Sequence, residues 1–203
     1  MWDTDVIFHN IMEAIGTGGI GIIGIDGLGG AGKSTISEKI CQKLEENNYH
    51  TILLHIDDFI HVRKVRYNAE YPEWQCYYDL QWRFDYFANV INEIRNNSDD
   101  CISVELYDKD HDTYFTQSFP IHDNAIVIVE GIFLQRKEYS NLFDYMIYID
   151  IPEEDRLYRV LKRDTYIGNK QQIIDKYKNR YFPAEHRYIE EYRPGENADF
   201  VLN

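Results

Sequence analysis

Four residues at fixed spacing carry the first chemical signal. Gly27, Gly32, Lys33 and Ser34 fill the pattern G-x-x-x-x-G-K-[ST] within the stretch from Gly24 to Thr35. Such a loop turns successive backbone N–H groups inward, where they close around phosphate oxygens. Gly29, Gly30, Ala31 and Gly32 supply those amides. The helix opening at Ser34 and Thr35 adds the partial positive charge of its N-terminus. Lys33 is expected to reach the β- and γ-phosphates, and the Ser34 hydroxyl to ligate Mg2+. ATP and Mg2+ are the expected cofactors.

A phosphate loop alone does not separate a kinase from an ATPase, a GTPase or a motor. Acids that end other apolar runs narrow the choice. Asp57-Asp58 follows Thr51-Ile52-Leu53-Leu54-His55-Ile56, and Glu130 follows Ala125-Ile126-Val127-Ile128-Val129. Transfer to a hydroxyl needs a carboxylate to accept its proton, and the metal–water shell needs an anchoring acid. Asp57 suits the first task and Glu130 the second, so Ser34, Glu130 and Asp57 form the expected metal set. Asp150, just before Pro152, reads as structural. No N-K-x-D guanine-reading motif occurs, since Asn169-Lys170-Gln171-Gln172 lacks the acid. A Ras-like GTPase is therefore not expected.

Charge developing on the transferred phosphoryl group calls for cations that close over it, commonly arginine. Arg156, Arg159 and Arg163 lie three and four apart, so one helical face carries all three. Arg163 is the expected catalytic member and Arg159 a nucleotide contact. The competing reading pairs them with Glu153, Glu154 and Asp155 on a solvent face.

These residues need strands and helices to position them. Ile20 to Ile25 is apolar enough for a buried strand, and Ile36, Ile40 and Leu44 form the stripe of the helix after the loop. Residues 4–15 read as a packing helix stopped by Gly16, Gly18 and Gly19. Residues 60–72 are polar, with His61, Arg63, Lys64 and Arg66. They form a solvated loop, or they steer an anionic acceptor or cover the nucleotide. A long helix is expected from about Trp74 to Asn96, then a break over residues 96–100. Residues 101–119 alternate like a β-hairpin standing off the main sheet. Further strands are expected at 125–129, 145–151 and 198–202. Helices are expected at 153–164 and at 171–191, the latter interrupted by Pro183. Strands alternating with helices predict an α/β fold with a mostly parallel sheet.

The chain has 203 residues, 44% of them hydrophobic, with 35 acidic against 21 basic side chains and a net charge of −14. That balance disfavours DNA, RNA or an anionic membrane as partner. Three scattered cysteines form no C-x-x-C pair, which fits a reducing compartment. No basic leader and no span-length apolar run are visible, so the cytoplasm is the expected location. Self-association stays open.

Taken together, the chain resembles the uridine kinase/phosphoribulokinase family of P-loop kinases. The resemblance rests on Gly24 to Thr35, His55 to Phe59, Tyr78-Asp79 with Phe84-Asp85, Val104 to Asp108, Glu130-Gly131-Ile132, Arg156 to Asp164, Gln172-Ile173-Ile174 and Ala198 to Val201. It implies a P-loop kinase fold: a mostly parallel five-stranded sheet with helices on both faces, a lid helix and a protruding hairpin. Residues 1–203 would form one domain, with an N-terminal helix in 1–19, an acceptor-side hairpin at 101–120 and a lid region at 153–170. It further implies that Asp57 is the base, that Glu130 supports Mg2+, that Asp79 holds ribose hydroxyls and that Tyr107 flanks the base, with Gln172 near the nucleoside. Tyr78 would add a flat wall. Two departures stand out: Ile167-Gly168 replaces an Arg-Gly pair, and position 112 is Asp112, with His111 one residue before the family's base-contacting histidine. The implied activity is ATP-dependent phosphorylation of a small acceptor, first the 5′-hydroxyl of uridine or cytidine. Pantothenate, nicotinamide riboside or a sugar phosphate are rivals. A nucleotide-binding regulatory protein without an acceptor is the rival of another class.

Overall fold

The computed structural model describes residues 2–16, 19–96, 100–122, 124–139 and 141–203. Gly18, expected to help stop the first helix, and residues 97–99 of the expected break lie outside the described residues. Five strands form one sheet: β1 (Gly21–Gly27), β2 (His50–His55), β5 (Ala125–Gly131), β6 (Tyr145–Ile149) and β7 (Phe200–Leu202). Their order is β2-β5-β1-β6-β7, and every pairing is parallel. β3 (Cys101–Asp108) and β4 (Thr113–Pro120) form a separate antiparallel hairpin, as the alternating pattern predicts.

Alternate residues of the central strands feed two cores. Ile22, Val127 and Val129 face one side, while Ile23, Ile25, Ile126 and Ile128 face the other. Burial on both faces explains why these strands read as unbroken apolar runs. The second face is covered by α1 (Thr4–Ile15), capped by Asp3, and α2 (Lys33–Glu46), which buries Ile36, Ile40 and Leu44. The first face receives Ile102, Val104 and Leu106 of the hairpin and the aromatic side chains of the following helices.

The expected helix from Trp74 to Asn96 is instead two, α4 (Glu73–Leu80) and α5 (Phe84–Asn96). Tertiary bonds claim the residues between them. Trp82 bridges Ile60, the His61 N–H donates to the Gln81 carbonyl, and the Arg83 N–H donates to Phe59. The preceding polar segment holds a short helix, α3 (Arg63–Arg66). After α6 (Glu153–Arg163) come α7 (Lys170–Lys176) and α8 (Phe182–Tyr192), joined by a π-helical turn at Tyr177–Tyr181. Pro183 has no N–H to continue the α-helical ladder, and the wider turn accommodates it. That turn swings Tyr177, Arg180 and Tyr181 toward the carboxyl edge of the sheet, where ligands of open α/β sheets bind.

Candidate active site

The phosphate loop runs from the end of β1 into α2. Gly30 has φ of 83°, and a Cβ there would sit 2.9 Å from the Arg156 carbonyl oxygen. Gly32, at φ 104°, is the N-cap of α2. Both positions need glycine. The loop is held from outside by a buried ion pair. Arg156 Nη1 meets Glu185 Oε2 at 2.7 Å and donates to the Gly29 carbonyl at 3.0 Å, while Glu185 Oε1 accepts from the Gly29 N–H at 2.9 Å. The two side chains are 3% and 1% exposed. Arg156 is therefore an anchor of the loop, not a solvent-face or closing cation. Asp26, fully buried one residue before Gly27, accepts from the Tyr188 hydroxyl, the Gly27 N–H and Gln135 Nε2. Burial raises its pKa against those bonds. Asp26 and Glu185 carry no motif. An acid on the apolar stripe of a helix or strand is the only trace they leave in the sequence.

Two strand ends deliver the acids. Register places His55 of β2 opposite Glu130 of β5, and His55 Nδ1 lies 2.6 Å from Glu130 Oε1. That bond raises the His55 pKa. Burial alone would raise Glu130, but the His55 bond and the Lys33 charge outweigh it and leave the carboxyl below its ordinary value. The Ser34 hydroxyl is 3.4 Å from the same Glu130 oxygen. Asp57 lies in a 3-10 turn, Ile56–Asp58, directly after β2. It is open to the cavity and walled by protein elsewhere. Desolvation by those walls, then the Glu130 charge, raise its pKa; Lys33 opposes them.

Lys33, Ser34, Asp57 and Glu130 line one cavity of about 540 Å3, together with Arg66, Tyr77, Gln81, Tyr107, Arg163 and Arg180. Gly29 and Gly30 lie on the same wall. Gly32, Thr35 and Arg159 line an adjoining hollow that shares Gly30, Lys33, Ser34 and Arg163. Arg159 donates to the Ala31 carbonyl at 3.0 Å, and Ala31 is buried within the loop. Arg163 is held by Asp164 at 2.6 Å and is 63% exposed.

Four expected acceptor residues are not among those lining that cavity. Tyr78 is buried, its hydroxyl donates to Glu191 and its ring lies under Arg136. Asp79 faces Arg136 at 4.0 Å. A helix turns about 100° per residue, so the face of α4 that meets the cavity is that of Tyr77 and Gln81, four apart. His111 stands exposed at the hairpin tip, bonded to Asp108 at 2.7 Å. Gln172 closes a capping box with Asn169 at the start of α7. Tyr107 is in the cavity, its hydroxyl donating to Asp112 and accepting from Arg66. Sequence reasoning missed Tyr77, Gln81 and Arg180. The last was hidden among Tyr177 and Tyr181, whose spacing reads as a core stripe.

The loop suits a nucleoside triphosphate: Gly30 and Gly32 hold it at positive φ, and Lys33 and Ser34 open onto the same hollow. Among the described residues, no three His, Cys, Asp or Glu side chains converge as a metal cluster.

The family model for the phosphoribulokinase/uridine kinase family matches residues 22–202. A uridine kinase of Borrelia garinii subsp. bavariensis is 31% identical over 177 residues, 85% of this chain and 81% of that protein. A uridine kinase of Staphylococcus haemolyticus is 29% identical over 165 residues, 79% of this chain and 77% of that protein. A solved structure described as a possible uridine kinase from Bacillus stearothermophilus superposes with a TM-score of 0.81 at 31% identity, covering 98% of this chain and 97% of that one. With its phosphate loop, its parallel sheet and that match over almost its whole length, this chain belongs to the phosphoribulokinase/uridine kinase family of P-loop kinases.

Proposed function

We propose that the chain transfers the γ-phosphoryl group of ATP to a hydroxyl of a small molecule. One observation carries the reading: Lys33, Ser34, Glu130 and Asp57 open onto a single cavity with room beyond the phosphate loop. Asp57 takes the acceptor's proton as its oxygen forms the new bond to phosphorus. The bond from phosphorus to the bridging oxygen breaks, and its electron pair leaves on ADP. Lys33 and Arg163 offset charge on the moving group. Ser34 and Glu130 would hold Mg2+, with Asp57 beside them, and the ion would supply positive charge against the phosphates. The segment 153–170 acts as the lid, and 1–203 as one domain.

Uridine is the acceptor suggested by the names of the relatives, and Tyr77 and Tyr107 offer flat walls for a base. A second reading, an acceptor that already bears an anion, is favoured by Arg66 and Arg180 in the same walls. Coupled-assay ADP release tests the function. Release that depends on an added hydroxyl acceptor supports it. Nucleotide binding with no release from any of a panel of nucleosides, vitamins, hydroxy acids and sugar phosphates would favour a regulatory protein.

A further inference from the structure

We propose that the acceptor carries an oxyanion, a phosphate or a carboxylate, and that Arg66 and Arg180 seat it. The inference rests on the kinase reading and names the substrate class of that site.

Three of the acids lining the cavity already face a basic side chain. Glu185 is paired with Arg156, Asp164 with Arg163, and Glu130 with His55. Arg66 and Arg180 are buried guanidinium groups in the same walls without such a partner. Arg180 is 1% exposed, yet its guanidinium meets only neutral acceptors, the Glu73 carbonyl at 3.2 Å and Gln81 Oε1 at 3.0 Å. Arg66 is 9% exposed. Its Nη2 donates to the Tyr107 hydroxyl at 2.8 Å, and its Nε is buried with no partner. Among the described residues, neither lies within ion-pair distance of a carboxylate. Buried guanidinium groups are costly unless an anion meets them.

Both groups lie against one ring, with Arg66 5.1 Å and Arg180 4.5 Å from the Tyr67 centroid. The Tyr67 ring thus touches both, and both line the cavity that holds Asp57. Two planar forks with unused donors suit the paired oxygens of a phosphate or carboxylate. In a chain of net charge −14, this is a local site for an anion. A small polyol or hydroxy acid fits a cavity of this size. Its free hydroxyl meets Asp57 and its anion stays unchanged while phosphorus moves as above.

Inorganic phosphate is the probe. The protein is first saturated with a non-hydrolysable ATP analogue and Mg2+, so that the phosphate loop is filled. Calorimetry should then detect phosphate binding, weakened about tenfold or more by Arg66→Gln and by Arg180→Lys. Circular dichroism and melting verify that each variant is folded, and Arg66→Lys serves if Arg66→Gln is not. ADP release should follow sugar phosphates or hydroxy acids, with the better class distinguishing phosphate from carboxylate, and not neutral nucleosides. No phosphate binding to the analogue-filled protein overturns the proposal, as does uridine turnover that Arg66→Gln leaves unchanged. Arginine-dependent phosphate binding with no ADP release from any acceptor would sink the kinase reading and leave the oxyanion site standing.

Discussion

The two halves of the cavity are built in opposite ways. The phosphate half comes from one contiguous stretch, Gly27 to Thr35, clamped from behind by Arg156 and Glu185. The acceptor half draws single residues from α3, α4, the hairpin and the π-turn, Arg66, Tyr77, Tyr107 and Arg180 among them. The first must meet the same triphosphate whatever the acceptor, so backbone geometry suffices. The second must be particular, and side chains from separate elements supply that. Substitutions in the two halves should therefore fail differently.

The sharpest contrast is between Lys33 and Asp57. Lys33→Ala should weaken nucleotide binding and turnover together, because its contact exists before and during transfer. Asp57→Asn should lower kcat by about 10²–10⁴-fold, the usual contribution of a general base, with ATP affinity little changed. Stopped turnover with Asp58→Asn and normal turnover with Asp57→Asn would assign the base to the neighbouring acid.

Next in size is the clamp. Glu185→Ala leaves Arg156 buried without its counter-charge and Gly29 without its acceptor. Unfolding in urea should show a loss of about 3–5 kcal/mol. If stability holds and only the KM for ATP rises, the pair tunes the loop without supporting the fold.

Arg163 is the exposed counterpart of Arg156. Its Nε and Nη2 hold Asp164, and it lines the hollow beside Lys33 and Ser34. Arg163→Ala should lower kcat by roughly tenfold or more, with a smaller change in the KM for ATP, because the contact tightens on closure. A pure KM effect would make it a ground-state contact.

What could be read from the chain follows the same division. The phosphate loop was legible because its chemistry lies in local spacing. Asp57 and Glu130 were legible because a buried parallel strand announces its own end. Tyr77 was not, because its choice over Tyr78 depends on the phase of a helix that Trp82 cuts short. Arg180 and Glu185 were not, because the π-turn and the packing of α8 decide which way they face. A resemblance carries positions across a family, but it does not carry the turn of a helix.

A smaller effect concerns pH. The proposed base, Asp57, would work deprotonated, and desolvation by the cavity walls with the nearby Glu130 charge raises its pKa. Activity should therefore fall away, as pH drops, at a higher pH than for an ordinary aspartate near about 3.9. Glu130→Gln removes the repelling charge. Whatever it does to the maximal rate, it should move that acid limb to lower pH. A limb that stays in place would mean another group governs it.

The smallest effect is expected where the family resemblance is most explicit. Asp79 is the acid that the family resemblance assigns to ribose hydroxyls, yet it is not among the cavity-lining residues and faces Arg136 at 4.0 Å. Its side chain is about one-third exposed, and partly exposed ion pairs contribute about 0–1 kcal/mol. Asp79→Ala should therefore change kcat/KM by no more than about threefold to fivefold, the kinetic equivalent of that range. Tyr77→Ala, on the face of α4 that meets the cavity, should raise the acceptor KM by more. The comparison needs both a ribonucleoside and its 2′-deoxy analogue as trial acceptors. A clamp that holds both hydroxyls must lose its discrimination when the carboxylate goes, since a site built for a hydroxyl rejects the analogue lacking it. If Asp79→Ala abolishes a preference for the ribonucleoside, α4 turns its other face to the acceptor during turnover. If the preference is absent or survives, Tyr77 and Gln81 mark the working face.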